Sequence, residues 1–374
     1  MSLIIRNVET KKDLKTFIHL PEKIHAGRPG WTPPLYMDEW TYFNPKKNRA
    51  FAFCDTILLL AWKDGKPVGR IMGIINRRFN EHRKENIARF ANLETYEDRD
   101  VFRALVGRVE EWAREKGMAR IIGPYGFSDQ DPEGWMIEGF ENHATIATYY
   151  NYEWMPRWIE EDGYGKDVDY YVYRLAIPEV LPEFYKKIFE RIQRRGQYEM
   201  VEFRSRKEIK PSVRPILSLM NDCYVNSNIY GYHPLDEKEM DELAKKYLPV
   251  LDPRFVKAVK KGPDFVAFIV GIPDMTEGIR KARGRLFPFG VFKILRAAKK
   301  TKQLDLLLGG IREDCQGFGL DVFMGTRMIA SAREAGLECI DTHHELESNV
   351  KVRAEMEKMG GVLYKKFRVF TKNL

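Results

Sequence analysis

Cysteine is scarce: Cys54, Cys223, Cys315 and Cys339 are scattered over 374 residues, with no C-x-x-C pair and no Cys/His metal-ligand spacing. That argues against a disulfide framework or a zinc module, and predicts free thiols, no metal and a reducing, cytoplasmic setting. Long apolar runs are also missing. None approaches the roughly 20 residues needed to span a bilayer, and the opening MSLIIRNVETKKDLK has no signal-peptide hydrophobic region. An acidic surplus is absent too. The net charge of +8 favours an anionic partner, for which a nucleotide phosphate serves as well as nucleic acid. What is present is a chain 44% hydrophobic, able to bury a sizeable core and long enough for two domains.

In chain order, a strand over 3–8 precedes a helix over 11–24 that Thr10 can cap. Trp31, Tyr36, Trp40, Tyr42 and Phe43 then line an extended stretch that either lids a pocket or packs on the surface. Apolar residues over 56–63 and 68–76 flank Asp64-Gly65, a strong hairpin signal. A strand over 87–93, an amphipathic helix over 98–116 and a strand over 119–122 follow. Next, Gly123 to Phe140 interleaves glycines, aromatics and acids just past a strand end, where ligands of open α/β sheets sit; the alternative is an ordinary polar loop. Ile177-Pro178 and Leu181-Pro182 mark a boundary, after which a helix over 182–195 leads to a second run of helix, hairpin, strand, helix and strand. Between its hairpin and central strand lies a basic insertion, 275–302. Its Phe287, Phe289 and Phe292 are expected to pack inward, leaving the charges solvated; reaching over a ligand's phosphates, contacting RNA or touching a membrane surface are the alternatives.

The central strand of the second half, with Leu304, Leu306, Leu307 and Leu308, runs into Gln316-Gly317-Phe318-Gly319 and then a helix ended by Gly336. Glycines here let backbone N–H groups approach a phosphate at the positive end of a helix, although a plain tight turn is the other reading. The corresponding place in the first half holds Glu94, Tyr96, Glu97, Asp98 and Asp100. Those carboxylates cap a helix and repel phosphate, so only the second half is expected to hold such a ligand.

This loop, in this position, resembles the Q/R-x-x-G-x-G/A pyrophosphate loop of the GNAT superfamily of acyl-CoA N-acyltransferases. The helix opened by Glu347-Ser348-Asn349, then Gly360-Gly361 and a closing strand, are similar to that superfamily's ending. The resemblance implies an α/β fold of two tandem GNAT-like units, each a mixed, mostly antiparallel sheet flanked by helices. A degenerate first unit would cover 1–178, a bridging helix 179–196 and a second unit 197–374. It further implies that acetyl-CoA or another acyl-CoA is held by Ile311, Gln316, Gly317, Phe318, Gly319, Leu320 and Asn349. The implied reaction is N-acylation of a small-molecule or aminoacyl acceptor.

Such a transfer needs a deprotonated amine, a polarised carbonyl and a proton for the leaving thiolate. Candidate bases are Glu313, His344 and Glu347, beside His343 and Glu345. Tyr125, Asp129 and Glu133 are candidates for the acceptor side. A bulge at Gly309-Gly310 would free a backbone N–H for the carbonyl. The pattern departs from the superfamily at Asp321, normally Gly or Ala, and at Met356, where many members carry a Tyr general acid. A non-catalytic binding protein of the same fold, or an aminoacyl-tRNA-dependent peptidyltransferase gripping RNA with the basic insertion, are the competing readings.

Overall fold

Thr10 starts the first helix with a reciprocal cap. Its hydroxyl accepts from the Asp13 N–H at 3.1 Å, while the Thr10 N–H donates to the Asp13 carboxylate at 3.0 Å. Such a cap is worth about 1 kcal/mol. Asp64 and Gly65, both at positive φ (51° and 75°), make the tight turn that joins the first hairpin. In the computed structural model, residues 2–146, 148–227 and 229–374 are described.

The first unit comprises β1 (Leu3–Asn7), α1 (Lys11–Ile24), α2 (Tyr36–Tyr42), β2 (Cys54–Lys63), β3 (Lys66–Asn76), α3 (Arg77–Arg83), β4 (Ile87–Thr95), α4 (Arg99–Glu115), β5 (Arg120–Gly123), β6 (Trp135–Glu138), α5 (Trp154–Glu161) and β7 (Gly165–Ala176). Then α6 (Glu183–Arg195) crosses to β8 (Glu199–Glu202), α7 (Arg206–Ile209), α8 (Val213–Asn226), α9 (Glu237–Tyr247), β9 (Val256–Lys261) and β10 (Asp264–Pro273). The chain ends with α10 (Thr276–Ala282), α11 (Gly290–Ala298), β11 (Gln303–Ile311), α12 (Leu320–Glu334), β12 (Cys339–Asp341), β13 (Glu345–Leu346), α13 (Val350–Lys358) and β14 (Val362–Asn373).

All the strands join one mixed, mostly antiparallel sheet in the order β1-β2-β3-β4-β5-β14-β7-β12-β11-β10-β9-β8, with β6 on β14 and β13 on β7. The order reads the same from either end, so the two units are related by a pseudo-two-fold between β14 and β7. The closing strands are exchanged. The second unit's β14 pairs with β5 of the first, and the first unit's β7 pairs with β12 of the second. Helices cover both faces: α4 buries Val101, Phe102, Leu105 and Val109, and α1 buries Phe17, Ile18 and Leu20 in a separate cluster. In the second unit α8 and α12 take these places. Each such buried side chain contributes roughly 1.5–3 kcal/mol.

Two expectations are corrected. Gly309 and Gly310 pair in register with Ile269 and Phe268; the bulge lies at Leu307, between the pairs Val270–Leu308 and Gly271–Leu306. The cause is apolar, because Leu307 turns into the cluster beneath the basic insertion. That insertion is a helical hairpin, α10–α11, and its three phenylalanines face solvent rather than the core.

Candidate functional site

The sheet contains two parallel pairings, β4–β5 and β11–β12, and each is only three residues long. Beyond the last rung the partners diverge, so each unit opens a fork between its central strand and the next one. In the first unit the fork is closed. The segment after β6 bridges it: the Asn151 amide accepts from the Met136 N–H at 2.8 Å and donates to the Met136 carbonyl at 3.1 Å. Tyr152 stacks between His25 and Trp154, and His25 is bound to Glu94 of β4 at 2.7 Å. Asn92 lies at φ 52° on a bulge of β4. Consequently Phe90, Ala91, Leu93, Glu94 and Thr95 are all buried.

The second fork is open. Leu306, Leu307, Leu308, Gly310 and Ile311 are half-buried and Gly309 is exposed, although they occupy the equivalent stretch of strand.

The helix starts beside the two forks differ in the same sense. Asp98 caps α4, accepting from the Val101 N–H, and is itself paired with Lys63. At α12, Gly317 (φ 77°) and Gly319 (φ 84°) shape the loop. Among the described residues, no protein acceptor faces the backbone N–H groups from Gly317 to Val322. A Cβ on Gly317 would meet open space, whereas one on Gly319 would press on Ile188 of α6 at 2.9 Å. Phe318 is exposed, Leu320 buried, and the Gln316 amide folds back on the Ile311 carbonyl at 3.3 Å. A string of unpartnered amides at the positive end of a 15-residue helix, beside an open strand, fits a pyrophosphate and an extended chain attached to it.

The root of the open fork is charged. Its last rung pairs Asp305 with Asp341, and Lys365, fully buried, stands 3.3 Å from Asp341. Burial, then the neighbouring Asp341 charge, pushes the Asp305 carboxyl far up, so it holds a proton. Against burial, the Lys365 ammonium, His343 and the Tyr364 hydroxyl hold Asp341 below its ordinary range, so it is the anion.

Further out, the Gly309 N–H faces the Tyr224 hydroxyl of α8, which burial keeps protonated and which senses both Asp129 and Glu345. Burial pushes Glu345 up to about 8, with the Asn349 amide beside it, and Asp129 up to about 7. Asp129 comes from the first unit's loop after β5, whose Tyr125 packs on Tyr230 of the second unit with ring centroids 5.7 Å apart.

Other sequence candidates are placed less favourably. Glu347 points to the sheet rim, where it binds Lys166 at 2.8 Å and the Asp169 N–H at 3.2 Å. Glu313 is exposed on the turn before the loop. His344 stacks on Tyr170 and lies tilted against Phe367, and burial drives its pKa well down; its Nε2 has no partner among the described residues. The strand alternation expected of the two histidines fails, since His343 has φ 60°. Tyr125 is 0% exposed, with the Arg89 guanidinium 4.4 Å from its ring centroid. Glu133 is buried against Tyr170 and Tyr125. Asn349 makes no side-chain cap on α13. Tyr224 escaped the sequence reading because α8 lies far upstream of the loop it serves; only its place on the fold reveals it.

The model of the Acetyltransferase (GNAT) family matches residues 28–124, which lie in the first unit. Over its whole length the chain is similar to the bacterial ceramide synthase of Caulobacter vibrioides, at 27% identity covering 98% of this chain and 96% of that one. It is similar to protein YghO of Escherichia coli at 25%, covering 99% and 95%. Among solved structures, a tandem GNAT protein from the clavulanic acid biosynthesis pathway aligns with TM-score 0.56 at 11% identity, covering 100% of this chain and 98% of that one. A GCN5-related N-acetyltransferase from Sphaerobacter thermophilus aligns with TM-score 0.55 at 12%, covering 99% and 95%.

Proposed function

This chain is a tandem-unit member of the GNAT superfamily, and from that premise we propose that its second unit binds an acyl-CoA and transfers the acyl group to the amine of an amphipathic acceptor. The observation that carries the reading is the contrast between the forks: one plugged and carboxylate-capped, the other open beside free helix-terminal amides. An acyl-CoA supplies the acyl group as a thioester. The amides from Gly317 to Val322 hold the diphosphate, and half-exposed Leu306 to Ile311 flank the pantetheine and acyl chain. The Gly309 N–H and the Tyr224 hydroxyl polarise the thioester carbonyl oxygen. Glu345, tuned near neutrality, accepts the proton lost by the attacking amine, and Tyr224 gives its phenolic proton to the thiolate and regains one from Glu345. Asp129 pairs with the acceptor's ammonium, which releases one proton to water to become the attacking amine. Met356 then loses its significance, because the acid comes from α8 instead of α13. Asp321, exposed on the first turn of α12, is close enough to act on Tyr185 of α6.

The acceptor class is drawn from the whole-length relative named for ceramide synthesis, since a ceramide is the amide of a long-chain amino alcohol. The test is amide formation from long-chain and short-chain acyl-CoA with sphinganine as acceptor, beside calorimetric titration of CoA. The loop variant is Gly317→Trp, whose side chain enters open space where one on Gly319 would press on Ile188; because φ 77° strains any side chain there, its melting temperature is compared with wild type. Wild type should bind CoA and form the amide, and the variant should bind at least ~10-fold more weakly, a loss of about 1.4 kcal/mol. CoA binding unchanged in the variant, or no product with either acyl donor, would overturn the assignment.

A further inference from the structure

The α10–α11 hairpin presents a surface that the reaction does not explain. Its inner side is complete: Ile279, Ala282 and Ile294 pack on Leu35, Leu251 and Leu307. Its outer side is not. Phe287, Phe289, Phe292 and Leu295 are 75, 68, 70 and 50% exposed. Four large apolar side chains exposed within nine positions are more than scattered surface residues, and such a concentration marks an interaction site. Residues 292, 295, 296 and 299 share one helical stripe, so the patch continues directly into Arg296 and Lys299, with Lys300 beside them.

Charge decides the occupant. Residues 275–302 hold nine Lys and Arg against one Glu, a surplus of eight, and the whole chain's net charge is +8. The rest of the molecule is therefore neutral, and its entire positive surplus sits on this hairpin. Among the described residues, no carboxylate pairs with Arg296, Lys299 or Lys300. Among the same residues no helix is long and apolar enough to cross a membrane.

We propose that the α10–α11 hairpin docks the protein on an anionic lipid bilayer, with Phe287, Phe289, Phe292 and Leu295 inserted at the interface and Arg296, Lys299 and Lys300 on the headgroups. The combination of an apolar face and adjoining cations is what a lipid–water boundary selects. Single-stranded RNA would be met by aromatic faces for stacking, but Leu295 has none to offer. The placement gives the docking a use. Leu307, the bulge residue of β11, packs under the hairpin, and the His343 ring faces the Ile146 carbonyl of the same cluster, so the hairpin stands beside the open fork. An acceptor or acyl chain leaving the bilayer would reach the fork without crossing water.

The inference rests on the surface alone, and its readout needs no turnover, so it stands or falls separately from acyl transfer. The full chain is sedimented with phosphatidylglycerol/phosphatidylethanolamine vesicles and with phosphatidylcholine vesicles. Two variants accompany it, F287S/F289S/F292S and R296E/K299E/K300E, both confined to exposed positions and checked by circular dichroism and melting temperature. Wild type should pellet with the anionic vesicles, at least ~10-fold more tightly than with the neutral ones, and each variant should lose at least ~10-fold. Wild type that stays in the supernatant, or a serine variant that binds like wild type, overturns the proposal. So does a wild-type dimer in analytical ultracentrifugation that the serine substitutions dissociate, because the patch is then covered by a second copy. Tighter binding to an RNA oligonucleotide than to the vesicles overturns it equally.

Discussion

Replacing Lys365 with Met leaves the Asp341 carboxylate without its counter-ion at the root of the open fork. Both side chains are fully buried, so water cannot compensate, and breaking a pair of this kind typically costs about 3–5 kcal/mol. Asp341 keeps the Tyr364 hydroxyl and the His343 N–H at 2.7 Å, which places the expected loss near the lower end, about 3 kcal/mol. At roughly 2.1 cal/mol/K of unfolding entropy per residue, a chain this long shifts by about 1.3 °C per kcal/mol, so Tm should fall by about 4 °C. The sign with pH should reverse. In wild type the Asp341 pKa is depressed, so its contribution to stability is present above the ordinary carboxylate range and is lost as pH falls through the folded pKa. In the variant, burial acts unopposed by Lys365 and the folded pKa rises above the unfolded one. The Tm deficit should then be small in acid and grow as pH rises. The assay is a thermal melt at several pH values with wild type, Lys365→Met and the double variant Asp341→Asn/Lys365→Met, in which no charge is left unpaired. The double variant should recover most of the loss. A single variant as stable as wild type, or a double variant less stable than the single, would refute this account of the fork.

Burial raises Glu345 from 4.5 to about 8, so kcat/KM should climb with pH to a plateau above about 8, and Glu345→Gln should lower it by about 10²-fold and flatten the profile. A raised carboxyl pKa also means that stability falls as pH climbs from 4.5 toward about 8, and melts of Glu345→Gln should lack that slope. Tyr224→Phe removes a proton donor without removing ring contacts; steady-state kinetics should give a kcat about 10²-fold lower, while calorimetry gives an unchanged Kd for CoA.

Much of the architecture is written locally. Asp64-Gly65, the Thr10 cap and the Gln316 to Gly319 loop each carry their own geometry in a few residues, and the repeated order of elements follows from periodicity alone. The exchange of β7 and β14 does not, because both strands have the same alternating character and nothing local says which unit a closing strand will join. The hairpin phenylalanines show the limit in the other direction. An apolar residue at helical spacing is normally a core residue, and only the fold reveals that Ile279, Ala282 and Ile294 already fill the inner side. Among the base candidates, Glu347 and Glu345 are equally acidic in sequence; the pairing of β13 with β7 turns one to Lys166 at the rim and encloses the other near Tyr224. The helix cap at Asp98, by contrast, was legible from composition alone.

The central claim is that the acyl donor is held in the second unit, although the family model falls on the first. Amide hydrogen exchange with and without CoA addresses this directly. Protection should rise over residues 306–322, where β11 is half-exposed and the α12 amides are free, and remain unchanged over residues 90–101. Protection over 90–101 with no change at 306–322 would contradict the account and return the site to the first unit.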